Sequence, residues 1–113
     1  MIYATAKMTI PFHNLHEALE ILRSIMQQTR FESGCVSCNV FHDVDFENEV
    51  MIEELWQNEK DLERHLQSDE YRKVLIVAEM ASAPPEIRFH TIQRTSGVET
   101  VEKARTAGGK LLR

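Results

Sequence analysis

Three sets of residues in this chain have types and spacings that support chemistry. Cys35 and Cys38, within "GCVSC", form the Cys-x-x-Cys spacing used by thiol redox and metal sites. Glu54, Trp56 and His65 offer a carboxylate, an indole and an imidazole close together in sequence. His13 and His16 have the i, i+3 spacing with which one helix face holds a metal, but no third ligand is evident, and no metal is expected.

The cysteine pair is the most chemical in appearance and the weakest on inspection. A reactive thiol of this kind sits at a helix N-terminus, where the helix dipole favours the thiolate; here the pair follows a helix C-terminus, where that help is reversed. Cys38 also falls within a strand, where residues three apart point to opposite faces and a direct disulfide is awkward. The pair therefore reads as a turn running into a strand, with a thiol redox protein as an alternative that thiol titration decides.

Glu54 interrupts an otherwise apolar strand face, His65 lies on an inward helical stripe beside Leu62 and Leu66, and Trp56 flanks both. The three are expected to converge on one cavity. A planar hydroxylated aromatic bound there would lose a phenolic proton to His65 or Glu54, leaving an electron-rich anion able to react with oxygen directly. An inward carboxylate is held neutral by desolvation or is paired, with His65 as the partner at hand. The plain alternatives are core packing for Trp56, a satisfied inner histidine for His65, and a structural tie from Glu54 to a backbone group or partner chain.

The elements that would position these groups follow from periodicity. Residues 2 to 10 alternate as a strand that Pro11 ends, and Asn14 with Glu17 resembles a capping box opening a helix over residues 14 to 31. Gly34 closes that helix, and a second strand covers residues 36 to 43. "VDFEN" is a short hairpin connection to a third strand ending at Trp56. Asn58 and Asp61 open a helical turn, a longer run spans about residues 69 to 81, "SAPPE" stops it, and "IRFHTIQR" is the fourth strand. After Gly97, "VETVEKAR" has the makings of two helical turns.

The order β-α-β-β-α-β predicts a ferredoxin-like α+β sandwich, a four-stranded antiparallel sheet with helices on one face. The helix-covered face should carry Ile2, Ala4, Ala6, Met8, Val36, Cys38, Val40, Val50, Ile52, Trp56, Ile87 and Phe89, with His42 ending the second strand on the same side. The other face holds Tyr3, Phe41, Met51, Leu55 and Ile92 among polar residues, an apolar content that predicts cover by a second copy across a two-fold axis.

Composition narrows the function classes. The chain has 113 residues, 42% of them hydrophobic and 27% charged, which suits one soluble domain with a modest core. Its net charge of −5 disfavours nucleic acid, and the basic residues of the tail (Lys103, Arg105, Lys110 and Arg113) are diluted by Glu99 and Glu102. No apolar run approaches the roughly 18 residues that span a bilayer, and the first residues lack a secretory signal, so no membrane partner is expected and a cytoplasmic location is.

"ESGCVSCNVFHD" and "VMIEELWQNEKDLERHLQSDEYRKVL" together resemble the antibiotic biosynthesis monooxygenase domain family. Gly34 and Cys35, Glu54 and Trp56, His65 and Leu66, and Ser68 and Tyr71 match its recurring pattern, and the resemblance covers about residues 1 to 94. It implies a dimeric α+β barrel, a homodimer joined through the open sheet face; residues 95 to 113 lie outside the family's common core and are expected to form a tail whose short helix packs on the partner. The haem-degrading branch is not matched, since its Asn, Trp and His positions fall on Ala6 or Lys7, His65 and about Leu75. The polyketide-oxidising branch is matched at Trp56 but not at about Ile52 and Leu62. Cys38 falls where the family often places a tyrosine on the pocket side.

The resulting expectation is a cofactor-independent monooxygenase acting on a small aromatic or quinol. His65 and Glu54 are the catalytic candidates, and Trp56, Cys38, His42 and Tyr71 the substrate-binding ones; no cofactor is implied. The alternative is a non-catalytic dimeric module of the same fold that binds or senses a small molecule.

Overall fold

The computed structural model describes residues 1–107. Its elements run β1 (Ile2–Thr9), α1 (Phe12–Thr29), β2 (Cys35–His42), β3 (Glu49–Trp56), α2 (Glu59–Leu66), α3 (Asp69–Met80), β4 (Glu86–Thr91) and α4 (Val98–Ala107). The strands form one antiparallel sheet in the order β2-β3-β1-β4. This is the expected ferredoxin-like α+β arrangement, with the second helical region divided at Gln67 and Ser68 and α4 added after β4.

The start of α1 differs from the capping-box expectation. The helix opens at Phe12 with Pro11 as its N-cap and no side-chain cap, and the Asn14 amide already donates to the Pro11 carbonyl at 2.9 Å. Proline's fixed φ suits a helix entrance, so the chain turns helical before Asn14 is reached. The Asn58 cap is as expected, its Oδ1 accepting from the Asp61 amide at 2.9 Å; the structure adds a cap at Ser68, whose Oγ accepts from the Tyr71 amide at 3.2 Å.

Alternation along β1 and β3 buries Ile2, Ala4, Ala6, Met8, Val50, Ile52, Glu54 and Trp56 beneath the helices, with Cys38 beside them on β2. From α1 come Ala18, Leu22 and Ile25 and from α3 Val74 and Val77, closing one core with Ile10. Val36 breaks the expectation and is 44% exposed. The β2–β3 register shifts between Cys35 and Ser37, which face Trp56 and Leu55, so a bulge turns Val36 outward and Cys35 inward. Both cysteines thus lie on the helix-covered side, contrary to the strand-alternation argument, and both are free thiols.

Ile87 and Phe89 oppose Ala6 and Ala4 on the inner face, as expected, yet both are exposed. They lie on an edge strand, beyond the area that α1 and α3 cover. The outer face carries half-buried Tyr3, Met51 and Leu55 with exposed Phe41; the Tyr3 hydroxyl donates to the Glu53 carboxylate across the β1–β3 pair. Side chains 98–106 are exposed, and residues 108–113, the end of the tail expected to pack on a partner, lie outside the described residues. Among the described residues no helix is long and apolar enough to cross a membrane.

Candidate functional site

The strand period brings Glu54 and Trp56, two residues apart on β3, to the same face, where the indole Nε1–H donates to Glu54 Oε1 at 3.0 Å. The Asn58 cap starts α2 at an angle that carries His65 inward on its buried stripe with Leu62. There His65 Nε2 lies 3.2 Å from Glu54 Oε2, and the imidazole is tilted by 32° against Trp56 at a ring separation of 4.7 Å. Tyr71, in the first turn of α3, meets the imidazole edge-on at 5.6 Å. His65 and Trp56 are both 0% exposed, and Glu54 is 5% exposed.

The second imidazole nitrogen finds a partner that sequence reasoning missed. Glu32, in the turn after α1, places Oε2 2.8 Å from His65 Nδ1. One signal for it was present: an acid beyond the C-terminus of α1 stands where the helix dipole disfavours an anion, so something else must hold it. That turn is tightly specified. Gly34 has a φ of +84°, in the left-handed region, and a Cβ added there would overlap the Asp61 side chain.

Charge on the site follows from this arrangement. Burial disfavours a charged His65, but the hydrogen bond and charge of Glu54, followed by the charge and hydrogen bond of Glu32, outweigh it and raise the imidazole above the usual histidine range. Donor counting agrees: a neutral imidazole has one N–H, whereas an imidazolium has one for each carboxylate it faces. Tyr71 is raised by its burial and then by the nearby Glu54 carboxylate.

Glu54 also lines a cleft between α3 and β4. Ala4 and Ala6 form its floor with Ile52, Tyr71 stands on the helix side, and Ile87 and Phe89 form the opposite wall. It exists because β1 presents only methyl groups beside an edge strand that no helix covers. About 230 Å³ of empty space lies between its atoms and mouth, but only about 10 Å³ admits the centre of a water. A planar ring therefore enters only if the exposed Ile87 and Phe89 side chains move aside.

The structure brings Glu54, Trp56, His65 and Tyr71 together. Within the group, Glu54 and Tyr71 reach the cleft, while His65 and Trp56 are sealed behind Glu54. Cys38 pairs with Glu54 across the β2–β3 ladder, on the side away from Ala4, and is buried in the core. Its thiol is held well above the ordinary range by burial and then by Glu54. His42 is not brought to the site: it pairs with Val50, four residues along β3 from Glu54 and so roughly 13 Å away, and is exposed. His13 and His16 are exposed on α1.

Comparisons with known proteins agree with this fold. The family model described as antibiotic biosynthesis monooxygenase matches residues 1–75. No curated protein matches the chain in sequence. A candidate antibiotic biosynthesis monooxygenase from Deinococcus radiodurans superposes with a TM-score of 0.79 at 18% identity, covering 86% of this chain and 97% of that one. Rv0793 from Mycobacterium tuberculosis gives a TM-score of 0.77 at 18% identity, covering 85% and 98%. A conserved protein from Methanosarcina mazei gives 0.76 at 22% identity, covering 81% and 92%.

Proposed function

The chain belongs to the antibiotic biosynthesis monooxygenase family, and we propose that it oxygenates small planar phenols or hydroquinones with Glu54 as the proton acceptor in the cleft. What supports this role is one arrangement: Glu54 presents a carboxylate to the cleft while Trp56 and His65 orient its two oxygens from behind. His65 acts through Glu54, because both its nitrogens are occupied and its ring is sealed from the cleft. Trp56 likewise orients Glu54, Tyr71 contacts the ring of the substrate, and Cys38 packs behind the site. His42 has no part in the chemistry.

The chemistry balances with dioxygen as the co-reactant. A hydroquinone gives its phenolic proton to Glu54, and the resulting anion transfers an electron to dioxygen; recombination forms a carbon–oxygen bond. The peroxide anion takes the proton back from Glu54, and loss of water leaves a new carbonyl, so one oxygen atom enters the product and the other leaves as water. Two copies of the chain would join through the outer sheet face, where Tyr3, Phe41, Met51 and Leu55 supply apolar area.

The test is oxygen uptake by the purified protein, freed of metal and flavin, with a panel of phenols and hydroquinones. Uptake is expected, with a loss of about 10²- to 10⁴-fold in Glu54→Gln. Saturable quenching of Trp56 fluorescence without uptake would instead favour the binding or sensor module. Neither signal with any compound would leave the buried cluster a structural one.

A further inference from the structure

Glu32 touches neither the cleft nor the reacting atoms, yet it is the second anchor of the buried imidazole. Resting on Glu54 as the cleft's proton acceptor, we propose that Glu32 is a positioning residue that fixes His65 as a doubly hydrogen-bonded imidazolium and thereby holds the Glu54 carboxyl group in place at the cleft.

A carboxylate in a connecting turn would ordinarily wander, and this one is tied down from several sides. Arg64 Nη2, on the helix that carries His65, donates to the Ser33 carbonyl at 2.7 Å. The Gln57 amide donates to the Gly34 carbonyl at 2.9 Å, and Gly34 seats against Asp61 in the first turn of α2. Within the turn, the Glu32 amide donates to the Thr29 carbonyl at 3.0 Å and the Cys35 amide to the Glu32 carbonyl at 3.1 Å. The turn and α2 therefore move as one, and the 2.8 Å contact between Glu32 and His65 is built into their junction.

The charges around the ring leave it one role. Glu54 faces it from β3, Glu32 from the turn and Tyr71 from α3, while the Cys35 and Cys38 thiols approach the two carboxylates from β2. The nearby cations are committed elsewhere: Arg30 donates to the Cys38 carbonyl and Asn39 Oδ1, and Arg64 pairs with Asp61 at 2.9 Å. The imidazolium is thus the counter-charge shared by two carboxylates. The Glu32 side chain is 23% exposed, against 0% for His65, so the pair is anchored at its solvent edge. Without Glu32, a buried Nδ1–H loses its acceptor, the ring gives up its proton at lower pH, and Glu54 then faces a neutral imidazole.

The experiment compares wild type, Glu32→Gln and Glu32→Asp by ¹⁵N and ¹H NMR of the histidine ring, alongside pH profiles of oxygen uptake. In wild type, both His65 ring nitrogens should carry slowly exchanging protons at pH 7. Glu32→Gln should lower the pH at which the ring loses its charge, and should move the alkaline limb of kcat the same way with KM unchanged. Glu32→Asp should recover part of both shifts. A wild-type ring with a single N–H at pH 7, or a Glu32→Gln titration that does not move, overturns the proposal. Wild type needs no variant to fold, so its ring signals alone decide if Glu32→Gln is unstable. Absence of oxygen uptake in wild type would remove the role of Glu54, while the ring protons would still decide whether Glu32 holds His65 charged.

Discussion

Gly34 sits so close to Asp61 that no residue with a Cβ fits between turn and helix, and its φ of +84° excludes most alternatives independently. Asp61 also belongs to the cap of α2, its amide bound by Asn58 Oδ1 and its carboxylate by Asn58 Nδ2. Gly34→Ala should cost about 1–2 kcal/mol for the left-handed backbone and about 1 kcal/mol more as the cap is displaced. Denaturant titration measures the sum. Adding Asp61→Gly removes every overlapping atom, Cβ included, so the double variant should lose less than the two single losses combined.

Glu54 accepts from both Trp56 and His65, whose rings are sealed behind it, so deleting it orphans two buried donors at once. Glu54→Ala should destabilise by about 3–5 kcal/mol, the range for removing one partner of a buried ion pair. Glu54→Gln keeps a carbonyl for the indole and most of the volume, and should lose clearly less. Equal losses in the two variants would mean that the charge, which both remove, sets the cost, rather than the volume and the indole's acceptor, which only Ala removes.

Much of the fold and part of the site are legible in the sequence. Strict alternation along residues 2 to 10 and 49 to 56 is the period that places Ala4, Ile52, Glu54 and Trp56 inside, and no bulge disturbs the β1–β3 pair. Alternation fails where the register shifts beside Cys35, because one extra residue reverses every face assignment on its far side; Val36 therefore points outward and Cys35 inward, against the simple period. His42 has the expected face and the wrong end, since period two fixes a side of the sheet and says nothing about distance along it. Glu32 escapes sequence reasoning because turns have no period, and its meeting with His65 depends on how α2 docks.

Stability should fall as pH rises above neutrality, in two stages. His65 has a folded value above its unfolded one of about 6.5, so its contribution is complete below that pH and is lost as pH climbs through the folded value. Cys35 is pushed up to about 11 by burial and then by Glu54 and Glu32. Its contribution is therefore lost from about pH 9 through 11 by the same sign. Thermal melts from pH 6 upward should show both stages, with Cys35→Ser reducing only the second and leaving in it the share of the buried Cys38 thiol, which is raised by the same cause. A melting temperature that rises between pH 7 and 9 would contradict the charge assigned to His65.

The inward turn of Cys35 and Cys38 should make them poor nucleophiles. Cys38 is fully buried among apolar side chains, and the Cys35 thiol is held by the Ser37 carbonyl at 3.5 Å beside two carboxylates. Native-state alkylation of Cys35 at pH 8 should run about a hundredfold slower than that of a free thiol, as its thiolate fraction dictates. Mass spectrometry after timed quenching gives the rates. Rapid labelling, or a Cys35–Cys38 disulfide under mild oxidation, would restore the redox alternative.

Phe89 limits the cleft, and its position makes it the cheapest residue to move. It is 47% exposed on an edge strand, opposite Ala4, so Phe89→Ala forfeits only part of the roughly 3–5 kcal/mol of a fully buried phenylalanine. The truncation opens a cleft that now admits little more than a water, and should tighten binding of bicyclic phenols, read by Trp56 fluorescence, without disturbing Glu54. Ala4→Leu should do the opposite, filling the floor at a cost of about 1–3 kcal/mol for overpacking and weakening every aromatic ligand. If both variants bind the same phenols equally well, the ligand enters elsewhere, and the groove flanking His42, Arg23 and Met26 is the next surface to probe.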